Sequence, residues 1–365
     1  MAHAITAREA GFRVTVLERD GRALGASVRN FGTLWPIGCA VGAEREQALF
    51  GVNRWRELAR EAGFWVGAQG SLSLAYREEA WAVLGEFADG GRGGEFERLD
   101  ADAVRRRFPA ANPEGLRGGL FSAVETVVHP PSAMAALTGH ARKLGVDLRF
   151  GKPVIRVEAD EVECADGERF GFDHLVIAAG EEMRLLFPHE IAAAQVRRCR
   201  LQMMRTVAQP ADWHLGPVMV SDLTLCHYPA FRDCPSTTQL RARLEAELPR
   251  HRDWGVHVIA AQHEDGTLTL GDSHEYGEDF APESSAEVEE LILSALRDFV
   301  RVPDLRIASR WQGVYLKSTI GQTQVVLHPQ ERVTMVTAMG GLGMTLSWGL
   351  AEATVRSWRT DSEQT

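Results

Sequence analysis

The sequence lacks the features that mark several protein classes. No apolar run is long enough to cross a bilayer, so stable membrane insertion is not expected. No basic stretch followed by an apolar segment opens the chain, so no secretory signal is read. A net charge of -10 leaves little basic surface for phosphates, which argues against nucleic acid as the main partner. The five cysteines (Cys39, Cys164, Cys199, Cys226 and Cys234) are scattered and odd in number, with no C-x-x-C. A disulfide framework is therefore not expected, and a reducing cytoplasm is. The twelve histidines contain no H-E-x-x-H or other compact ligand set, so no metal site is predicted. There is no internal repeat, no low-complexity tract and no Ser/His/Asp constellation.

What is present suits a soluble chain with a large core. With 365 residues, 45% apolar and 25% charged, there is room for two domains. The first forty residues organise the reading. Helical spacing covers Ala2 to Ala10, Gly11 stops it, and the β-branched run VTVLE ends in the carboxylate Glu18. Helix, glycine, strand and terminal acid form the back half of a dinucleotide-binding unit, in which the acid accepts hydrogen bonds from a ribose. No first strand and no G-x-G-x-x-G precede the helix, and the start at Met1 reads as a truncation. A long polar, glycine-rich loop follows, from Arg19 to Gly38, and loops of that length are often functional.

The remaining elements are read from periodicity and stop signals. A helix is predicted from Ala43 to Gly63, with Phe50, Trp55 and Leu58 on one face. Strand Ser71 to Tyr76, helix Glu78 to Phe87, a glycine-rich turn at Asp89 to Gly94 and a strand over Leu120 to His129 come next. Ser132 is read as the N-cap of a helix through Leu144. DHLVIAA, Asp173 to Ala179, is continuously apolar and is expected to be buried on both faces of a parallel sheet. Asp265-Gly266 turns a hairpin between Val256–His263 and Thr267–Asp272, and Ser284 with Glu287 reads as a capping box. The tail combines a buried strand, a glycine turn and an amphipathic helix.

Three segments in order carry a family resemblance. VTVLERD with GASVRNFG, then DHLVIAAGEEMRLLF, then VTMVTAMGGLGMTLSWGLAEA resemble the flavin motifs of the D-amino-acid oxidase / glycine oxidase superfamily, and the likeness spans nearly the whole chain. Within it, RNFGTLWPIG, CRLQMMRT and GDSHEYG resemble a bacterial subgroup associated with phosphonate catabolism. The implied fold is α/β. A discontinuous Rossmann-like FAD-binding domain (1–65, 130–195 and 318–365), without its first strand and G-x-G-x-x-G loop, joins a β-rich α+β substrate domain (66–129 and 196–317).

The resemblance also implies residue roles. Glu18, with Arg19 beside it, holds the adenosine ribose. Ser27, Arg29 and Asn30 line the pyrophosphate and ribityl region, and Phe31 and Gly32 lie next to the ring. Val154 meets the adenine edge, and Ala179 and Gly180 pack on the nucleotide. Gly341, Gly343, Met344 and Thr345 offer backbone amides at a helix N-terminus. With no cysteine between Arg310 and Lys317, the FAD is expected to be non-covalent. Relatives that oxidise α-amino acids carry an arginine after a W-x-G-x stretch to pair with the carboxylate. WQGVYLKS has Tyr315 there and Lys317 two residues on, which are not equivalent to a bidentate clamp.

Phosphonate is compatible with Lys317, Tyr315, His274 and also Arg205. Trp35, His227 and Tyr228 complete the pocket candidates. The implied reaction is oxidation of the C–N bond of a small amine, by hydride transfer to the flavin and hydrolysis of the imine, with dioxygen or another electron acceptor. The missing loop leaves open a flavin-free, non-catalytic protein. The strand ending in Glu18 also leaves open a NAD(P)-dependent dehydrogenase. The oligomeric state, a homo-oligomer included, is not legible.

Overall fold

The computed structural model describes residues 1–67, 70–90, 96–337 and 339–362. The Asp89–Gly94 turn lies largely outside the described residues. The helix Ala2–Glu9 leads into the strand Thr15–Glu18, which runs parallel to Asp147–Phe150. A second parallel pair joins Leu175–Ile177 to Val333–Thr337, with Val325–Gln330 antiparallel on its far side. The strands of these two parallel pairs come from segments with helices between them, as parallel pairing requires. The DHLVIAA strand is shorter than expected, and it is an edge strand with Leu175 and Val176 half-buried. It is therefore covered less completely than a central parallel strand would be.

A nine-stranded sheet forms the second centre. Its longest pair is antiparallel, Val196–Thr206 against Ile307–Ser318. Period-two alternation sorts its side chains. Met204, Met219 and Ala260 pack on the face covered by the helix Ala286–Phe299, through Ile292, Leu296 and Phe299. Cys199, Leu201 and Met203 point to the other face, where they meet Phe31, Trp35 and Leu342. The sheet therefore turns one face toward the long loop and the terminal helix. Ser71–Ala75 lies inside this sheet and is buried at every position, because both faces are covered.

The long helix Ala43–Ala62 ends at Gly63, whose φ of 75° is the left-handed cap that glycine adopts readily. It crosses the terminal helix Gly343–Ser362 at close range. A Cβ on Gly51 would sit 2.1 Å from the Thr345 carbonyl oxygen. Ala48, Val52, Trp55 and Leu58 form the inner face, while Phe50 is 44% exposed. Five residues separate Phe50 from Trp55, roughly 140° around the helix.

Several local expectations shift. Leu120–His129 divides into Gly118–Ser122 and Thr126–Val128, which belong to different sheets. Between them the buried Glu125 accepts hydrogen bonds from the Ile37 amide and the Ser71 hydroxyl. The next helix begins at Pro130 with His129 as N-cap, because prolines suit the first turn. Ser132 bonds back to the His129 carbonyl instead of capping. At the later helix Ser285, not Ser284, accepts the Val288 amide at 3.3 Å, and Glu287 pairs with Arg250.

Candidate active site

The site is built on the inward face of the Val196–Thr206 and Ile307–Ser318 pair. Cys199 stands opposite Tyr315 and Arg197 opposite Lys317. The two-residue period puts Tyr315 and Lys317 on one face. Burial raises the Tyr315 phenol well above its ordinary value, and burial pushes the neighbouring Cys199 thiol up to about 12. Both stay neutral near pH 7. The Tyr315 hydroxyl lies 3.6 Å from where a Cβ of Gly341 would sit. The Lys317 ammonium is half-buried, and burial draws its pKa down. It makes no ion pair among the described residues.

Three histidines come from separate segments. His227 precedes the short turn of helix Pro229–Phe231, while His257 and His274 flank the Asp265-Gly266 hairpin. The hairpin pairs Gln262 with Leu268 through to Ile259 with Gly271, then shifts by one residue. His257 and Asp272 therefore face each other, exchanging backbone hydrogen bonds of 3.2 and 2.8 Å. The His227 ring centroid lies 3.9 Å from that of His257 and 4.5 Å from that of His274. Burial lowers all three imidazoles, His257 to about 3, so they are neutral at pH 7. Burial also lifts the Asp272 carboxyl to about 8.

Tyr228 packs against His227 at 5.1 Å and Trp35 at 6.1 Å. The Trp35 amide donates to Thr345 Oγ1 at 2.8 Å, which ties the loop to the terminal helix. The fold thus gathers Tyr315, Lys317, His274, His227, Tyr228 and Trp35 in one region. Arg205 is not brought there. It lies six residues along the strand from Cys199, about 20 Å at strand rise, where it donates to His129 Nε2 at 3.1 Å. His257, Asp272 and Cys199 were missed by the sequence reading. The hairpin turn signal placed the partner of Asp272 within one residue, and that was the clue to His257.

The cofactor candidates converge on the carboxyl ends of the parallel strands, where ligands bind in open α/β sheets. Half-buried Glu18 ends its strand and accepts the Asp20 amide at 2.9 Å. Its carbonyl accepts the Lys152 amide, two residues before Val154. Arg19 pairs with Glu182 at 3.1 Å, which links this end to the turn that starts at Gly180, after the exposed Ala179. In the long loop Ser27 and Arg29 are exposed, and the Arg29 carbonyl accepts from Trp311 Nε1. The Asn30 side chain is committed to its own loop, bonding the Ala26 carbonyl and the Gly32 amide. Phe31 is buried.

Gly32, at φ 77°, makes its close approach to protein: a Cβ there would lie 1.9 Å from the Val128 carbonyl oxygen. At the terminal helix the Gly343 and Met344 amides have no hydrogen-bond partner among the described residues, whereas the Thr345 amide is taken by the Leu342 carbonyl. These residues fit FAD. An acid at a strand end, a glycine turn at φ 81° on Gly341 and open amides at the start of a 20-residue helix are what a ribose and a flavin ring would use.

No helix among the described residues is long and apolar enough to cross a membrane. A family model described as FAD dependent oxidoreductase (DAO) matches residues 1–357. One of the subunits of the opine oxidase of Agrobacterium tumefaciens (strain Ach5) is 25% identical over 327 residues, covering 85% of this chain and 77% of that protein. Glycine oxidase from Geobacillus kaustophilus superposes with a TM-score of 0.77 at 18% identity, over 97% of this chain and 90% of that one. L-proline dehydrogenase from P. horikoshii gives 0.76 at 15% identity, over 97% and 88%. Those two structures bear on the fold, and the family match carries the cofactor, FAD and not a nicotinamide. The chain belongs to the DAO family of FAD dependent oxidoreductases.

Proposed function

We propose that this enzyme oxidises the C–N bond of a small amine with an anionic head, an aminophosphonate or a related amino acid. The observation that carries the reading is Lys317: a half-buried ammonium without an ion pair among the described residues, beside a neutral Tyr315 hydroxyl. A partly buried cation is costly unless an anion meets it, so the substrate's head is its partner. The relatives are named for oxidising opines, glycine and proline, which favours an amine as the oxidised group.

FAD, when bound, accepts the two electrons and hydrogen that leave the substrate as C–N becomes C=N, and water then hydrolyses the imine to a carbonyl and an amine. The chain's own residues do the positioning. Lys317 and the Tyr315 O–H hold the head, and the Tyr315–Gly341 contact sets that head against the glycine turn. Trp35 is buried, and with Tyr228 it sets an aromatic wall beside His227. A point charge and a hydroxyl replace a flat bidentate clamp, which suits a tetrahedral phosphonate better than a planar carboxylate.

In this reading residues 1–65, 130–195 and 318–365 form the FAD-binding unit, and 66–129 with 196–317 form the substrate unit. Five free thiols are in keeping with a reducing cytoplasm. The test is a steady-state screen of the FAD-loaded enzyme with small aminophosphonates, D-alanine and uncharged amines of the same length. Preference for the aminophosphonate supports the reading, and equal or better oxidation of D-alanine contradicts it.

A further inference from the structure

The histidine group beside Lys317 presents acceptors, and this decides what it can bind. The ligating atoms of His227, His257 and His274 all lie within 4.8 Å of one another. One tautomer is set from behind. His274 Nδ1 lies 3.1 Å from the Gly255 carbonyl, which only accepts, so Nδ1 carries the hydrogen and Nε2 keeps its lone pair. Thr224 Oγ1 donates to the Val258 carbonyl at 3.2 Å and lies 3.5 Å from His257 Nδ1. His257 Nε2 faces Asp272 Oδ1 at 3.3 Å.

Asp272 Oδ1 is itself without a hydrogen bond, although Asp272 is only 4% exposed. Its distance to His257 is that of an ion pair, yet no hydrogen bond joins the two atoms. A second imidazole, His274, has its Nδ1 3.9 Å from the same oxygen. A pocket made for an anion would point donors inward. This one gathers three neutral imidazoles, one with its Nε2 lone pair kept, beside a carboxyl oxygen without a hydrogen bond, and such a set calls for a cation. A backing hydrogen bond on the distal ring nitrogen, as at His274, is the arrangement that orients imidazole ligands.

We propose that His227, His257 and His274 bind one divalent first-row transition-metal ion through three nitrogens, with the Asp272 carboxyl beside them. Metal–ligand bonds of about 2.1 Å place neighbouring ligand atoms about 3.4 Å apart in a tetrahedron. The ligating atoms of the three histidines, all within 4.8 Å of one another, would close to that spacing around the ion. A nitrogen-rich set of this kind selects zinc, nickel or copper over magnesium and calcium. Lys317 is the opposing charge nearest the group, and its burial weakens that opposition. With an anionic head bound at Lys317, the ion would take the head as a further ligand; that role rests on the proposed substrate class, whereas metal binding by the resting protein does not. The rival occupant is a single proton shared by Asp272 and His257.

The test uses the full chain, stripped with a chelator and then titrated with zinc by calorimetry, with bound metal counted after dialysis. One equivalent is expected, with affinity reduced about 100-fold or more in His257→Gln and in His274→Gln. Cobalt(II) in the unmodified protein provides a second readout that needs no variant, the intense visible absorption of a four-coordinate site. No stoichiometric zinc, the weak absorption of six-coordinate cobalt, or unchanged affinity in His274→Gln would overturn the proposal. Stoichiometric zinc with no aminophosphonate oxidation supports it and counts against the substrate class alone.

Discussion

Tyr315 ends against Gly341: a Cβ on that glycine would stand 3.6 Å from the phenolic oxygen, at a backbone φ of 81°. The contact joins the substrate-side strand to the turn that opens the terminal helix. Gly341→Ala forces a side chain into left-handed backbone, at a cost of about 1 kcal/mol. The expected outcome is a stability loss of that size in urea melts, with a larger loss of FAD retention on gel filtration. Unchanged FAD retention would separate the turn from the cofactor.

The crossing of the helices Ala43–Ala62 and Gly343–Ser362 depends on Gly51, because a Cβ there meets the Thr345 carbonyl at 2.1 Å. Gly51→Ala should destabilise the chain by about 1–3 kcal/mol through overpacking, despite alanine's better helix propensity. Chemical denaturation measures this directly. A stabilised variant would show that the helices move apart freely.

Glu18 ends its parallel strand, and in the proposed FAD site it would accept ribose hydroxyls. Glu18→Ala should weaken FAD binding by roughly 10–100-fold, the worth of a hydrogen bond to a charged group. Quenching of flavin fluorescence on titration reads the dissociation constant. Equal affinities for the two proteins would remove Glu18 from the site.

His263 gives a pH dependence of defined sign. It is 4% exposed, and burial, with Arg205 and His129 adding repulsion, lowers its pKa to about 3. The unfolded chain takes up a proton near 6.5 and the folded chain does not, so stability is complete above 6.5 and falls as pH drops toward 3. The contribution of this residue is about 1.4 kcal/mol per pH unit inside that window. Denaturation midpoints between pH 7 and pH 5 should fall more steeply for the native chain than for His263→Gln. Parallel curves would show that His263 is protonated in the folded state.

Local signals in the sequence carried much of the fold. The acid-ended strand, the Gly63 stop and the Asp265-Gly266 hairpin depend on neighbours in the chain, and each appears as expected. Capping was legible only to within one residue at Ser285, and not at Ser132, where two prolines set the helix start. The pocket aromatics and Lys317 were legible as candidates because they sit in recognisable segments. His257 and Asp272 were not, because only sheet register brings them face to face, and a one-residue shift decides the pairing. Arg205 was included on charge alone, and strand geometry takes it to the far end.

The most direct test of the substrate-site assignment is the steady-state kinetics of Lys317→Ala beside the unaltered enzyme, both loaded with FAD. If Lys317 holds the anionic head, KM for an aminophosphonate rises about 10–100-fold in the variant, while oxidation of an uncharged amine of the same length changes little. A KM for the aminophosphonate that is the same in both proteins would contradict the account.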